Sequence, residues 1–209
     1  MATARRVQDI YDRLAQRYDR VARNHTLESL RSALFSQACG SVLELGVGTG
    51  ATFRHYPPTL GSLTGLDVSS TMLHAAQILA LPLPFPVRLM QCDFQTLPFA
   101  DQSFDTVVSS LAFCGIPDPE RLFADVRRVL KPGGRLLALE HVRPPNSLLG
   151  TVSDLIDPVF DQVIGCHPNR RTPTLLQAAG FEVRLQDRRL AGIVVSLIAA
   201  PTTLESSRR

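Results

Sequence analysis

The stretch VLELGVGTG contains the first residues of this sequence whose types and spacing suit ligand binding. Gly46, Gly48 and Gly50 follow an apolar run typical of a buried strand, and a helix is expected to begin after them. Glycine lets the backbone turn sharply and approach a ligand closely, and a helix N-terminus offers free N–H groups. The stretch therefore predicts a loop that binds a nucleotide-type cofactor. Read through to Ala51, it also satisfies the G-x-G-x-x-A pattern of a dinucleotide-binding dehydrogenase.

Three carboxylates, Glu44, Asp67 and Asp93, stand at or near the ends of three successive predicted strands. Glu44 has little use beside an anionic pyrophosphate, but its charge suits a cofactor that carries an ammonium and a sulfonium. Asp67 can accept both ribose hydroxyls of either kind of cofactor, and Asp93 can accept an adenine amino group. Any one acid could instead cap a helix, but as an ordered set they favour S-adenosylmethionine. Neighbouring candidates for cofactor contact are Val68, Met72 and Phe94.

Strands that alternate with helices must hold these residues in place, and the apolar patterns predict seven strands. Such alternation is typical of a parallel sheet covered by helices on both faces. The last two strands have a short connection, which predicts an antiparallel pair. The predicted fold is α/β, doubly wound and Rossmann-like, with a mostly parallel seven-stranded sheet and this terminal pair. The strands are the run before Gly46, Leu63–Asp67, Val87–Cys92, Phe104–Ser110, Arg135–Glu140, Phe181–Gln186 and Ile193–Ala199.

Helix ends are predicted from capping residues, glycines and prolines. Asp118 followed by proline is a cap and first-turn signal, and the later Pro-Gly-Gly is expected to end that helix. Pro158 is expected to kink or split the helical segment that contains it. The predicted helices are Arg5–Val21, Thr26–Ala38, Thr71–Leu81 with Ser69 or Ser70 as its cap, Pro119–Lys131, Ser147–Gly165, and a helix that Thr172 opens and Gly180 closes.

Length and composition predict one globular domain over residues 1–209. The sequence is 44% hydrophobic and 20% charged, which is unlike a disordered chain. We divide the domain into an N-terminal helical cover (1–38), a cofactor-binding core (39–140), an acceptor-side lid (141–180) and a terminal strand pair with its tail (181–209).

Charge and cysteine usage narrow the expected partners. A net charge of +3, with no basic stripe interleaved with aromatics, argues against nucleic acid. Four cysteines without a C-x-x-C pair argue against a metal or disulfide framework and fit a reducing cytoplasm. No secretory signal is visible, and the longest apolar run, Leu190–Ala200, is too short to span a bilayer. The expected partner is a small-molecule acceptor, with no nucleic acid and no metal. Peripheral membrane contact and the oligomeric state stay open.

Four stretches together resemble the ubiquinone/menaquinone-type branch (methyltransferase type 11) of class I S-adenosylmethionine-dependent methyltransferases: LELGVGTG, GLDVSSTML, CDFQTLPFADQSFDTVVSS and RVLKPGGRLLALE. The front segment IYDRLAQRYDRV resembles the helix that closes over the cofactor in that branch. The resemblance implies that Tyr18 contacts cofactor or acceptor, that Thr49 and Gly50 contact the methionine end, and that Ser110 forms the floor beneath the sulfonium. Further stretches, among them LEHV and DPVFDQVIGC, are similar to small-thiol methyltransferase-like proteins and to bacterial phospholipid N-methyltransferases.

The acceptor side departs from the quinone pattern, because quinone C-methyltransferases usually carry an arginine where this sequence has Cys114. The departure favours S-, N- or O-methylation of a small, fairly apolar acceptor. The alternatives are C-methylation of a quinol-type ring and, in another class, a nicotinamide-dependent oxidoreductase. The predicted catalytic residues are His141, Cys114 and Asp157. His141 is a candidate general base, Cys114 a candidate pocket residue and Asp157 a candidate to face the acceptor. Core packing or an acceptor wall is expected of Phe113, Leu148, Leu149, Leu155 and Phe160.

Overall fold

A computed structural model describes residues 6, 8–13, 25–93 and 96–202, and these residues build one seven-stranded sheet. The strand order is β3-β2-β1-β4-β5-β7-β6. Strand β7 alone runs antiparallel to its neighbours, because it pairs antiparallel with both β5 and β6, while the other pairs are parallel. The predicted doubly wound α/β fold is confirmed. The strands are β1 Ser41–Leu45, β2 Ser62–Asp67, β3 Val87–Gln91, β4 Phe104–Ser110, β5 Leu130–His141, β6 Phe181–Arg189 and β7 Val194–Pro201.

Five α-helices and three short 3-10 turns connect the strands in the described part of the chain, besides a helical stretch at residues 8–13. Ser69 caps the second helix, because its hydroxyl accepts a hydrogen bond from the Met72 N–H at 3.1 Å. Asp118 caps the third in the same way. The helices are α1 His25–Phe35, α2 Ser70–Ala80, α3 Pro119–Val129, α4 Ser147–Ile164 and α5 Thr172–Ala178; the 3-10 turns are Phe53–His55, Phe113–Gly115 and Leu190–Gly192.

Two apolar cores lie on opposite faces of the sheet. Successive strand residues alternate between them: Val107 belongs to one core and Val108 to the other. Helix α3 packs Leu122 and Phe123 into the first core, and α1 packs Leu34 into the second. Both faces of the sheet are thus covered, which leaves the carboxyl ends of the parallel strands as the open edge.

Two predictions about the later helices differ from the structure. Helix α3 ends at Val129 and not at Lys131, because Leu130 already pairs with Phe104 and begins β5. Pro158 lies inside an uninterrupted α4, so the helix is not split there.

The predicted helix after the glycine loop is a 3-10 turn at Phe53–His55. Tyr56 precedes two prolines and is extended, with φ −75° and ψ 143°, because a residue before proline avoids the helical region. The turn therefore cannot lengthen into an α-helix, and the loop lacks the helix N-terminus that the sequence predicted.

Candidate active site

A cleft opens at the carboxyl ends of β1, β2 and β4, with an empty volume of about 900 Å³ that includes its mouth. Nine of the twelve predicted cofactor residues line it: Glu44, Gly46, Gly48, Thr49, Asp67, Val68, Met72, Asp93 and Ser110. Tyr18 and Phe94 lie outside the described residues, and Gly50 is not part of the lining.

The glycines of the loop serve two different purposes. Gly48 has φ +55°, and a Cβ built on it meets nothing within 4 Å, so this backbone faces open space in the cleft. Gly50 has φ +82°, but a Cβ there would lie 2.7 Å from the Phe53 ring. Gly50 is therefore required by packing against Phe53, whereas Gly48 leaves room for a ligand.

Glu44 is fully buried beneath the loop. Its Oε1 accepts a hydrogen bond from the Thr52 hydroxyl at 2.7 Å, and its Oε2 accepts one from the Tyr56 hydroxyl at 2.9 Å. Burial raises the pKa of Glu44 to about 7, although both hydrogen bonds act to lower it. Each carboxylate oxygen has a second lone pair, so Glu44 can still accept a donor from the cleft.

Asp67 ends β2 and orders the glycine loop. Its Oδ2 accepts a hydrogen bond from the Gly48 N–H at 2.8 Å, and its Oδ1 accepts one from the Ser69 N–H at 2.9 Å. Burial raises the pKa of Asp67 against the opposing effect of these bonds. One lone pair on each oxygen remains for a ligand such as a pair of vicinal hydroxyls.

An apolar wall stands between Asp67 and the rim of the cleft. Met72 is buried and Val68 half-buried, and both line the cleft. Asp93 lies exposed at the rim. A flat aromatic group can therefore lie against this wall with its polar edge toward Asp93.

Arg31 of helix α1 is a buried cation that sequence reasoning missed. It is 2% exposed, its Nε donates to the Ser110 hydroxyl at 3.3 Å, and its Nη1 pairs with Glu28 Oε1 at 3.0 Å. Its charge also acts to lower the pKa of Glu44. The sequence signal is a charge on an apolar helix face, because Leu27 and Leu34 share that face.

The N-terminal segment contacts the cleft through Tyr11, which lines it. The hydroxyl of Ser69 donates to the carboxylate of Asp12, and Arg6 Nη2 lies 2.6 Å from Asp161 Oδ1 of helix α4. The segment thus contacts both the capping residue of α2 and helix α4. Tyr11 and the predicted Tyr18 begin two copies of the same tripeptide, Tyr-Asp-Arg, which is the signal that could have indicated Tyr11.

The segment after β4 forms a wall of the cleft that is rich in backbone groups. Glu140, another residue that the sequence did not single out, accepts hydrogen bonds that fix this segment. Glu140 Oε1 accepts hydrogen bonds from the Ser109 hydroxyl at 2.5 Å and from the N–H groups of Ala112 and Phe113 at 3.2 Å each. Burial raises the pKa of Glu140 to about 7. The residues of the wall that line the cleft are Leu111, Ala112, Gly115, Ile116 and Pro117, which we call the post-β4 wall.

The three predicted catalytic residues lie behind the post-β4 wall and not in the lining of the cleft. Cys114 is 1% exposed, and its thiol donates to the Leu111 carbonyl at 3.6 Å. His141 places Nδ1 3.9 Å from the Sγ of Cys166. Asp157 pairs with His167 Nδ1 at 3.1 Å. Cys114 and His141 thus meet at one point together with Cys166, and Asp157 belongs to a separate pair.

Helix α4 exposes an apolar face, although core packing was one expectation for its leucines. Leu148 is 72% and Leu155 74% exposed, whereas Phe113 is fully buried as expected for the core. The buried residues of this helix are Gly150 and Ser153. No helix among the described residues is long and apolar enough to cross a membrane.

Residues 43–138 match the family described as a methyltransferase domain. The thiol S-methyltransferase TMT1B of Homo sapiens is 33% identical over 180 residues, which cover 78% of this chain and 72% of that protein. The chain belongs to the S-adenosylmethionine-dependent methyltransferases. The ubiquinone/menaquinone biosynthesis C-methyltransferase UbiE of Azotobacter vinelandii is 28% identical to this methyltransferase in an alignment that covers 93% of this chain and 88% of that protein.

Solved structures agree on the fold of this methyltransferase. The methyltransferase in complex with the Haloferax volcanii Trm112 activator has a TM-score of 0.74 at 22% identity, covering 94% of this chain and 98% of that one. A SAM-dependent methyltransferase from Thermotoga maritima has a TM-score of 0.69 at 22% identity, covering 94% and 100%. The seven-stranded sheet with its antiparallel strand is thus the methyltransferase fold.

The family decides between the two cofactors that the glycine loop allowed. S-adenosylmethionine is the cofactor of this methyltransferase. The cleft fits it: Gly48 leaves room above the backbone, and the carboxylate residues Glu44 and Asp67 both belong to the lining. A pyrophosphate would instead meet the carboxylate of Glu44.

Proposed function

We propose that this methyltransferase methylates a small, fairly apolar acceptor through sulfur, nitrogen or oxygen, with thiols as the first class to test. The observation that carries the proposal is the composition of the cleft. Its carboxylates lie on the side of β1, β2 and β3, while the post-β4 wall offers apolar side chains and backbone. The similarity to a thiol S-methyltransferase supports a thiol acceptor.

Three acids would hold the cofactor along the cleft. Asp67 would accept the two ribose hydroxyls, Asp93 the adenine amino group, and Glu44 the ammonium of the methionine end. Met72 would pack against the adenine, because it is the buried part of the wall between Asp67 and Asp93. The cofactor supplies an electrophilic methyl group together with its own leaving group.

The chain itself must then align the acceptor and exclude water. Tyr11 covers the cleft from the N-terminal segment, and Arg31 fixes the Ser110 hydroxyl at the floor. Both side chains limit where an acceptor can approach. We propose that the acceptor approaches along the post-β4 wall.

Deprotonation of the acceptor needs little help if the acceptor is a thiol. A thiol has a reference pKa of about 8.5, so a few per cent is thiolate at neutral pH. His141 does not line the cleft, and its Nδ1 faces Cys166. We therefore propose solvent as the proton acceptor and keep His141 as the alternative base. Four free thiols in the chain suit a reducing cytoplasm as the place of this reaction.

Ring C-methylation of a quinol is the second candidate. The similarity to a C-methyltransferase over 93% of this chain favours it. A cation also lies behind the post-β4 wall, because Arg170 Nη2 donates to the carbonyls of Cys114 and Ile116 at 3.1 and 2.7 Å. That guanidinium is engaged by the backbone, and Cys114 stands where the quinone pattern has its arginine, so we rank this candidate second.

A labelled-methyl assay decides between these acceptors. The chain is incubated with methyl-deuterated S-adenosylmethionine and with apolar thiols, amines, phenols and demethylquinols, and products are identified by mass spectrometry. We expect a labelled thioether, amine or ether that is absent with Asp67→Asn. A labelled ring carbon as the main product would establish the second candidate, and labelled protein or RNA alone would refute both.

A further inference from the structure

Three segments that are far apart in the sequence bring two thiols and an imidazole together. Cys114 follows β4, His141 ends β5, and Cys166 follows the C-cap of α4. One donor atom from each lies within 4.8 Å of the other two. We call these three residues the Cys–His–Cys cluster.

The distances in the cluster suit a tetrahedral cation. Zinc binds thiolate sulfur at about 2.3 Å and imidazole nitrogen at about 2.0–2.1 Å, which separates two sulfurs by roughly 3.8 Å and sulfur from nitrogen by roughly 3.5 Å. Cys166 Sγ and His141 Nδ1 are already 3.9 Å apart. The other two pairs of donor atoms are at most 4.8 Å apart, so contractions of up to about 1 Å would form the chelate.

The surroundings keep the donor atoms away from competing ligands. Cys114 is 1% and Cys166 7% exposed, and both are free thiols. The donor set is soft, which favours zinc over magnesium or calcium. Two thiolates balance the charge of a divalent cation, so a bound ion leaves no uncompensated charge from these three ligands.

Residues outside the three ligands orient the cluster. His167 follows Cys166 directly, and the carboxylate of Asp157 holds its ring at 3.1 Å. The N–H of His167 donates to the Cys114 carbonyl at 2.9 Å, which ties the segment after α4 to the segment after β4. Such partners outside the ligands fix ligand orientation in metal sites.

We propose that Cys114, His141 and Cys166 bind one zinc-class divalent cation, with a fourth coordination position left for an exchangeable ligand. The ion joins the segment after β4 to the end of β5 and to the segment after α4. Binding forms two metal–sulfur bonds and one metal–nitrogen bond, the two thiols release their protons to solvent, and no covalent bond of the chain breaks. The metal site does not depend on which acceptor is methylated. The proposal of the metal site and the proposal of the acceptor can therefore be refuted separately.

Cobalt substitution tests the site on the full chain. The reduced, metal-stripped protein is titrated with Co²⁺ and then with Zn²⁺. We expect one equivalent of Co²⁺ to give thiolate-to-cobalt charge-transfer absorption and the intense visible bands of tetrahedral cobalt, and Zn²⁺ to abolish both. Zinc X-ray absorption on the wild type should show two sulfurs at about 2.3 Å and nitrogen at about 2.0–2.1 Å.

Matched cysteine variants assign the ligands. Cys166→Ser should weaken Zn²⁺ binding on the order of a hundredfold or more, while Cys39→Ser, at an exposed thiol outside the cluster, should leave it unchanged. Circular dichroism of each variant checks that it folds. The cobalt spectrum of the wild-type protein tests the site even if a variant fails to fold. Absence of tetrahedral cobalt bands under reducing conditions, or equal loss of binding with Cys39→Ser, would overturn the proposal.

Discussion

Glu44 links cofactor affinity to pH, because a cationic ligand needs its carboxylate ionised. Burial raises the pKa of this group to about 7 in the cofactor-free protein. S-adenosylhomocysteine keeps its ammonium throughout the neutral range, so its affinity should follow the ionised fraction of Glu44. We predict that affinity falls as pH falls through 7.

The size of the effect follows from that pKa. With a pKa of about 7, roughly a tenth of Glu44 is ionised at pH 6 and nine tenths at pH 8, so affinity should drop about tenfold between pH 8 and pH 6. Glu44→Gln should remove this slope. It should also weaken binding at pH 8 by about 1.5–3 kcal/mol, the value of a hydrogen bond to a charged group.

The free energy of unfolding should fall as pH rises through 7, whereas cofactor affinity should rise. A carboxyl whose folded pKa exceeds its unfolded value of 4.5 stabilises the fold below pH 4.5 and loses that contribution as pH rises through 7. Glu44→Gln removes this pH-dependent loss of stability, because a glutamine does not ionise. The Thr52 and Tyr56 hydroxyls can rotate to form hydrogen bonds with the amide. The variant should gain up to about 3 kcal/mol over the wild type at pH 8 and little at pH 5.

Titration calorimetry at pH 6, 7 and 8 measures the affinities, and urea unfolding measures the stabilities. Tyr56→Phe is the matched control, because it keeps Glu44 but removes a hydrogen bond that lowers its pKa. The pH dependence of affinity should remain but should move to higher pH, because the pKa of Glu44 rises. A flat wild-type profile, or the same slope in Glu44→Gln, would refute the role of Glu44.

Three further substitutions test other parts of the structure. Asp67→Asn should weaken S-adenosylhomocysteine binding at least tenfold in calorimetry; unchanged affinity would show that the ribose lies elsewhere, and Asp67→Ala is less suitable because it also strips the Gly48 and Ser69 N–H groups of their acceptor. Gly50→Ala should cost about 1–2 kcal/mol or more in urea unfolding, because it forces a left-handed backbone and a clash with the Phe53 ring; a loss below 0.5 kcal/mol would contradict that geometry. Leu155→Gln should change stability by less than about 0.5 kcal/mol and Leu122→Ala should cost about 2–5 kcal/mol, since the first is exposed and the second fully buried; equal losses would show that α4 is covered.

Local signals in the sequence predicted most of the fold. The bounds of β4, Phe104–Ser110, agree with the prediction, because a β-rich apolar run between turn residues determines them locally. Asp67 and Glu44 were found at the cleft for a similar reason, since strand ends in a parallel sheet meet at one edge. The helix predicted after the glycine loop was wrong, because Pro57 restricts the residue before it.

The missed residues depend on contacts between distant segments. Arg31 reaches Ser110 from a helix far earlier in the chain, and Glu140 reaches the N–H of Phe113 from another strand. Cys114 and Cys166 also lie far apart in the sequence, so their spacing gives no sign that they are close in the fold. The four scattered cysteines therefore predicted no cluster. Only the three-dimensional packing brings these groups together.

A crystal structure with bound S-adenosylhomocysteine tests the central claim most directly, namely that the strand-end carboxylates hold the cofactor. We predict its ribose hydroxyls on Asp67, its adenine between Met72 and Asp93, and its amino group toward Glu44. Ordered ligand density outside this cleft, or density inside it with the ribose away from Asp67, would contradict the claim.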